Sequence, residues 1–189
     1  VNYTYDTNGN LESLTPPGKS AHVFNYNAIN QETVYTPPAL SGAATVTRYD
    51  YNLDKQLELI TRPDNKILDY VYDPISGKLA TLVIPRGTFT YGYDTATGKL
   101  NNITAPDGGV LNYTYDGFLP LSETSSGDIN GTVSRTYNNN FWVTGITING
   151  NTINYGYDND GLVTNAGALS LVRNVQNGLL TGTTLASVS

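Results

Sequence analysis

The chain has no cysteine and no methionine, and only one histidine and one tryptophan. Lack of cysteine excludes disulfides and thiolate metal ligands, and it leaves no mark of a redox compartment. A lone histidine, His22, excludes a multi-histidine metal site within the chain. Positive charge is also scarce, with 10 Lys and Arg scattered among 16 Asp and Glu, for a net charge of −6. No basic patch for nucleic acid can be assembled from them, nor a basic run for an anionic membrane surface. No apolar stretch approaches the roughly 20 residues of a membrane-spanning helix. No signal peptide is visible, and no segment carries a sustained helical period with caps.

What the chain does have is tyrosine and glycine, 15 and 19 residues respectively. The opening stretch "YTYDTNGNL" at 3–11 returns as "YVYDPISGKL" from Tyr70, "YGYDTATGKL" from Tyr91 and "YTYDG" from Tyr113. Anchored on the second tyrosine, the copies stand at Tyr5, Tyr26, Tyr51, Tyr72, Tyr93, Tyr115, Tyr137 and Tyr157, in steps of 20–25 residues. The slot two residues earlier holds Tyr3, Phe24, Tyr49, Tyr70, Tyr91, Tyr113, Arg135 and Tyr155. Fourteen of the fifteen tyrosines therefore fall in two slots, and only Tyr35 lies outside. Such self-similarity is the mark of a repeat array.

After the second tyrosine comes Asp or Asn in every copy: Asp6, Asn27, Asn52, Asp73, Asp94, Asp116, Asn138 and Asp158. Either side chain accepts from backbone N–H groups ahead of it and so starts a turn. Gly9, Gly77, Gly98 and Gly161 follow where a left-handed residue closes the turn, and Asn30 stands in once. Lys55, Leu119 and Phe141 occupy this slot elsewhere, and altered loops are expected there. An apolar–x–x–apolar step comes next, as in Leu11/Leu14, Leu57/Ile60, Leu79/Leu82, Leu100/Ile103 and Val143/Ile146. Pro16, Pro37, Pro63, Pro85 and Pro106 close it, because proline cannot donate to a ladder.

Each copy thus reads as strand, tight turn, strand and connection. The period of two in Tyr-x-Tyr puts both rings on one face. A lone hairpin cannot bury a face, so the hairpins pair side by side. The expected fold is all-β, an array of antiparallel hairpins forming a continuous, curved or spiralling strip. Equivalent tyrosines of neighbouring hairpins are expected to stack in ladders.

The motif Tyr-x-Tyr-Asp-x-x-Gly-x-Leu resembles the YD repeat of the RHS proteins. That family includes bacterial toxin shells, cocoon-forming components of insecticidal toxin complexes, and teneurins. The resemblance covers eight repeats to residue 162, with 163–189 as a degenerate ninth unit in which Leu171 and Arg173 fill the tyrosine slots and Asn174, Gly178 and Leu180 follow. It implies a spiralling shell that encloses a toxic domain or serves as a surface scaffold. The motif that plugs such shells, with its self-cleaving aspartates, has no counterpart here, so autoproteolysis does not carry over. The pattern runs to both termini, and residues 1–189 are read as one array within a longer polypeptide.

The residues that define this reading are Tyr3, Tyr5, Asp6, Gly9, Tyr70, Tyr72, Asp73, Gly77, Tyr91, Tyr93, Asp94, Gly98, Tyr113, Tyr115, Asp116, Tyr155, Tyr157, Asp158 and Gly161. No catalytic, cofactor or metal residue is assigned. His22, after "PPGKSA", is read as a solvated loop histidine, and "DNDG" at 158–161 as the repeat turn rather than the start of a calcium loop. Carboxylate pairs such as Asp69/Asp73 and Glu58/Asp64 recur at no special place. The sequons at Asn2, Asn102, Asn112 and Asn130 are read as products of the strand pattern. The expected role is a non-catalytic structural segment outside the cell, of bacterial source as the resemblance implies, partnered by neighbouring repeats or by copies of itself. Two alternatives stand beside it: part of a toxin-enclosing cocoon, and an adhesion module for glycans or a protein partner. Trp142 and Phe141, in "NNNFWVTG", are the candidate binding spot of the second.

Overall fold

The computed structural model describes residues 1–39 and 46–186. Ser189, the last residue of the array as read from sequence, lies outside them. Contacts divide the chain into two units, Val1–Tyr91 and Gly92–Ser189. The described residues form eighteen strands and no helix. The first unit holds β1 (Asn2–Tyr5), β2 (Leu11–Thr15), β3 (His22–Tyr26), β4 (Glu32–Thr36), β5 (Thr47–Tyr51), β6 (Leu57–Thr61), β7 (Ile67–Tyr72), β8 (Leu79–Ile84) and most of β9 (Gly87–Tyr93). Each pairs antiparallel with the next. The second unit holds β10 (Leu100–Thr104), β11 (Val110–Asp116), β12 (Leu119–Ser126), β13 (Gly131–Tyr137), β14 (Val143–Ile148), β15 (Asn151–Tyr157), β16 (Val163–Ala166), β17 (Leu169–Arg173) and β18 (Leu180–Leu185), again each paired with its successor.

The repeat explains the register. Leu11 and Leu14 are three apart, so an ideal strand would send them to opposite faces. A bulge corrects this: Tyr5 pairs with Leu11, Tyr3 with Leu14, and Glu12 is left over. The same irregularity leaves Thr33, Glu58, Ala80, Leu121, Thr144, Thr164 and Thr181 unpaired on the returning strands. Both apolar residues of each step then face the tyrosines, as in Tyr70↔Leu82 with Tyr72↔Leu79. The ninth unit follows the rule, with Arg173 opposite Leu180 and Leu171 opposite Thr183.

No hydrophobic side chain is fully buried among the described residues, so each unit lacks a closed core. The tyrosine face is half-covered instead. Its opposite face in the second unit carries small polar side chains. Thr114, Ser122, Ser134, Thr147 and Thr152 stand in one cross-strand row, with Thr114–Ser122 and Thr147–Thr152 hydroxyls 2.6 and 2.7 Å apart.

Candidate functional site

Without a closed core, the chemistry is concentrated at the seams between hairpins. Each seam begins in a turn. In the first, Asp6 Oδ1 accepts from the N–H groups of Asn8 (2.8 Å) and Asn10 (2.9 Å), and Gly9 closes the loop at φ 85°. Asn27, Asn138 and Asp158 accept in the same way, and Asn174, which heads a loop one residue longer, accepts from the N–H groups of Gln176 and Asn177. Asp73 and Asp94 head loops one residue longer and also accept a hydroxyl, from Ser76 and Thr97 respectively. These bonds favour the charged form and hold the carboxyls of three aspartates below their ordinary range. The Asn10 side chain leads for Asp6, the Ser76 N–H for Asp73 and the Thr97 hydroxyl for Asp94.

The second tyrosine of a hairpin then reaches back. Tyr26 donates its hydroxyl to the Leu11 carbonyl at 3.0 Å, Tyr51 to Glu32 at 2.8 Å, and Tyr72 to Leu57 at 2.9 Å. In the second unit Tyr137 donates to Pro120 at 2.8 Å and Tyr157 to Val143 at 2.7 Å. Each acceptor sits beside a bulge of the preceding hairpin. Burial at the seam pushes the Tyr26, Tyr51 and Tyr72 phenols up. Desolvation likewise raises the carboxyl of Glu32, which occupies a usually apolar slot among these rings.

A second link runs forward along the turns. The residue after the left-handed one reaches the next turn: the Asn10 amide donates to Asn30 Oδ1 at 2.9 Å, Gln31 to the Lys55 carbonyl at 2.8 Å, and Gln56 to the Gly77 carbonyl at 2.8 Å. Where that residue is apolar it packs. A Cβ on Gly161 would lie 2.7 Å from Trp142, and one on Gly178 would lie 2.8 Å from Leu162. These glycines serve twice, supplying positive φ and leaving room for the neighbour.

Several expectations are corrected here. Equivalent tyrosines are two strands apart, roughly 9–10 Å, because a returning strand separates them. Ring-on-ring ladders give way to hydroxyl–carbonyl bonds. The ring pairs described are Phe24–Tyr35 (5.2 Å) and His22–Tyr35 (5.9 Å) within one hairpin, and Trp142–Tyr157 (5.2 Å) across a seam. His22 is not a loop residue: it opens β3, half-buried, with Nδ1 2.6 Å from the Tyr35 hydroxyl. The loops at Lys55 and Phe141 keep the common form at φ 66° and 63°, because Asn52 and Asn138 hold them as aspartate does elsewhere. Only the turn after Asp116 departs, shortened to two residues with Gly117 at φ 51° and Leu119 already in β12.

The other proposed residues lie as follows. Tyr3 and Tyr5 on β1 are 49% and 61% exposed, since no described strand precedes them. Tyr70, Tyr91, Tyr113 and Tyr155 take the first slot on β7, β9, β11 and β15. Trp142 is half-buried against Gly161 and Tyr157, whereas Phe141 is exposed at the turn tip. Asp64 is engaged by Arg62 and Lys66. The forward-reaching residues Asn10, Gln31, Gln56 and Leu162 were not picked out from sequence, and Trp142 was picked out only as a candidate binding spot. Their signal is one fixed position, the residue after the left-handed slot.

The geometry defines a class of protein: an antiparallel hairpin array whose units are fastened by a recurring tyrosine. The family model for the Teneurin YD-shell matches residues 1–189, and the chain belongs to that family. Among solved structures it resembles the crystal structure of TcdB2-TccC3-Cdc42, at 19% identity over 93% of this chain and 11% of that one, with a TM-score of 0.58. It also resembles TcdB2-TccC3 without its hypervariable C-terminal region, at 18% identity over 94% of this chain and 11% of the other, with a TM-score of 0.57. The chain therefore spans about a tenth of the length of these structures, and the likeness is one of fold. No curated protein matches it. Among the described residues no helix is long and apolar enough to cross a membrane.

Proposed function

We propose that the chain is a non-catalytic wall segment of a YD-type shell, a run of nine hairpins within a longer strip that works outside the cell. The observation that carries this is the investment of the defining residues in seams. The tyrosine bonds to the hairpin before it, the left-handed residue takes a bond from the neighbouring turn, and the Asp or Asn holds its own turn together. The share of the structural neighbours that the chain covers supports reading it as one stretch of a larger wall. Electron cryomicroscopy of the intact parent protein tests this. These hairpins should lie unbroken in a shell wall with further hairpins beyond β1 and β18. A free-standing sheet, or a bound substrate at the tyrosines, would refute it.

The strand edges favour self-association of the isolated segment as a further part of this reading. β1 pairs only with β2 and β18 only with β17 among the registers described, and both strands are largely exposed. Unpaired edges of this kind template further strands.

A further inference from the structure

Two carboxylates stand on the tyrosine face in positions that other hairpins give to apolar residues. Opposite the second tyrosine the returning strand carries Leu11, Leu57, Leu79 or Val143, but Glu32 stands opposite Tyr26. Opposite the first tyrosine, Glu123 faces Tyr113 where Leu14, Ile60 and Leu82 stand elsewhere. The array satisfies only one of the two. Glu123 Oε1 accepts from Arg135 Nη1 at 2.8 Å, and Arg135 occupies a tyrosine slot on the following strand, β13. The strand that follows Glu32 is β5, whose two slots hold Tyr49 and Tyr51. Arg48 lies between β4 and these slots in sequence only, because alternation puts its side chain on the other face.

Among the described residues no cation lies within ion-pair distance of Glu32, and no group donates to its carboxylate. The phenols beside it have their protons committed. Tyr26 donates to the Leu11 carbonyl, and Tyr51 donates to the main-chain carbonyl of Glu32 itself. Burial raises the Glu32 carboxyl, and burial with the nearby Glu32 charge raises the Tyr49 and Tyr51 phenols. The carboxylate is nonetheless within reach from outside, since no unpartnered side-chain oxygen among the described residues is sealed off. What it lacks is a positive donor. An ionised carboxylate only accepts, and the rings around it attract a cation. A guanidinium meets both demands, bonding a carboxylate with a fork of N–H groups and stacking on tyrosine with little loss of hydration. A single carboxylate supplies too few oxygens for a calcium ion.

We propose that Glu32, with Tyr26, Tyr49 and Tyr51 around it, is a docking point for an arginine side chain of a partner polypeptide. The partner supplies from outside the guanidinium that Arg135 supplies to Glu123 from within the array.

Amide NMR titration of the 189-residue chain with the amides of Nα-acetylarginine, Nα-acetylcitrulline and Nα-acetyllysine tests the proposal. Citrulline keeps the shape of arginine but replaces the guanidinium with a neutral urea. The arginine compound should give saturable shifts centred on Tyr26, Glu32, Tyr49 and Tyr51, and citrulline should bind roughly tenfold more weakly for want of a charge-assisted bond. Lysine should bind more weakly than arginine, having neither the fork nor the stacking plane. Glu32→Gln should bring arginine down to the citrulline level. Glu32→Leu restores the apolar residue of this slot, so it should keep the spectrum of the other hairpins while abolishing the arginine response. Glu123→Gln, at the carboxylate already paired, should leave that response unchanged. The proposal is overturned if no shift saturates, if arginine and citrulline bind alike, or if Glu32→Gln changes nothing. Lysine binding as tight as arginine would also sink it, since the site would then read charge alone.

Discussion

Replacing Tyr157 with Phe separates two accounts of what tyrosine does in this array. If the rings fasten hairpins by stacking, Phe keeps the ring and the change is nearly neutral. If the hydroxyl fastens them, Phe removes the donor to the Val143 carbonyl at 2.7 Å and changes little else. A neutral intramolecular hydrogen bond contributes about 0.5–1.5 kcal/mol net, and a half-buried carbonyl left without its donor pushes the loss toward the upper part of that range. About 1 kcal/mol corresponds to roughly a fivefold rise in the open population. Trp142 is a built-in reporter, because its ring packs on Tyr157 with centroids 5.2 Å apart. Urea titration followed by tryptophan fluorescence, together with native-state hydrogen exchange of the β15 and β16 amides, reads the effect. Tyr5→Phe is the control, since Tyr5 is 61% exposed and its hydroxyl bonds to no described residue. A loss at Tyr157 no larger than that at Tyr5 would refute the hydroxyl account.

Gly161→Ala should destabilise more than Gly9→Ala, although both sites have positive φ. Each incurs about 1–2 kcal/mol for a left-handed alanine, but only the first also drives a Cβ to 2.7 Å from Trp142, which thermal denaturation should resolve. Stability should fall in acid. The carboxyls of Asp6, Asp73 and Asp94 are depressed in the folded chain, so their contribution is present above the ordinary aspartate range and lost as pH drops through the folded values. Asp73→Asn with Asp94→Asn should flatten that loss in pH-dependent circular dichroism, while an unchanged acid limb would count against the turn aspartates as its source. Sedimentation of the isolated segment should show association rising with concentration, and a strict monomer with protected β1 and β18 amides would show that the edges are closed.

Much of the architecture was legible because it is periodic. Tyr-x-Tyr fixed the strand face, Asp or Asn fixed the turn, and Gly9 or Gly77 fixed the left-handed residue. The bulge was harder to see, though the odd spacing of Leu11 and Leu14 demanded it: two residues three apart reach one face only if an extra residue intervenes. The nature of the seam was not legible. Ring and hydroxyl both come with tyrosine, and sequence alone does not say that a returning strand keeps equivalent rings apart. Lys55 and Phe141 were misjudged because the slot was weighed by its own residue. The preceding asparagine bears the turn, and it tolerates a side chain at φ 66° or 63°. Tyr35 stood outside the pattern and could not be placed, yet it stacks on Phe24 and bonds His22, making a local substitute for the usual apolar contact.

The acceptors at the five described tyrosine seams belong to Leu11, Glu32, Leu57, Pro120 and Val143, whose side chains range from aliphatic to acidic to a proline ring. What they share is a main-chain oxygen, and every residue owns one. A hairpin therefore recognises its predecessor without reading which amino acids compose it. A copy gained or lost through unequal crossing-over within the gene would find this bond on either side at once, leaving only the forward-reaching side chain and the residue that it faces to be matched. The length of such a wall can then drift by whole hairpins over evolutionary time, while the sequence of each hairpin diverges almost independently of the rest.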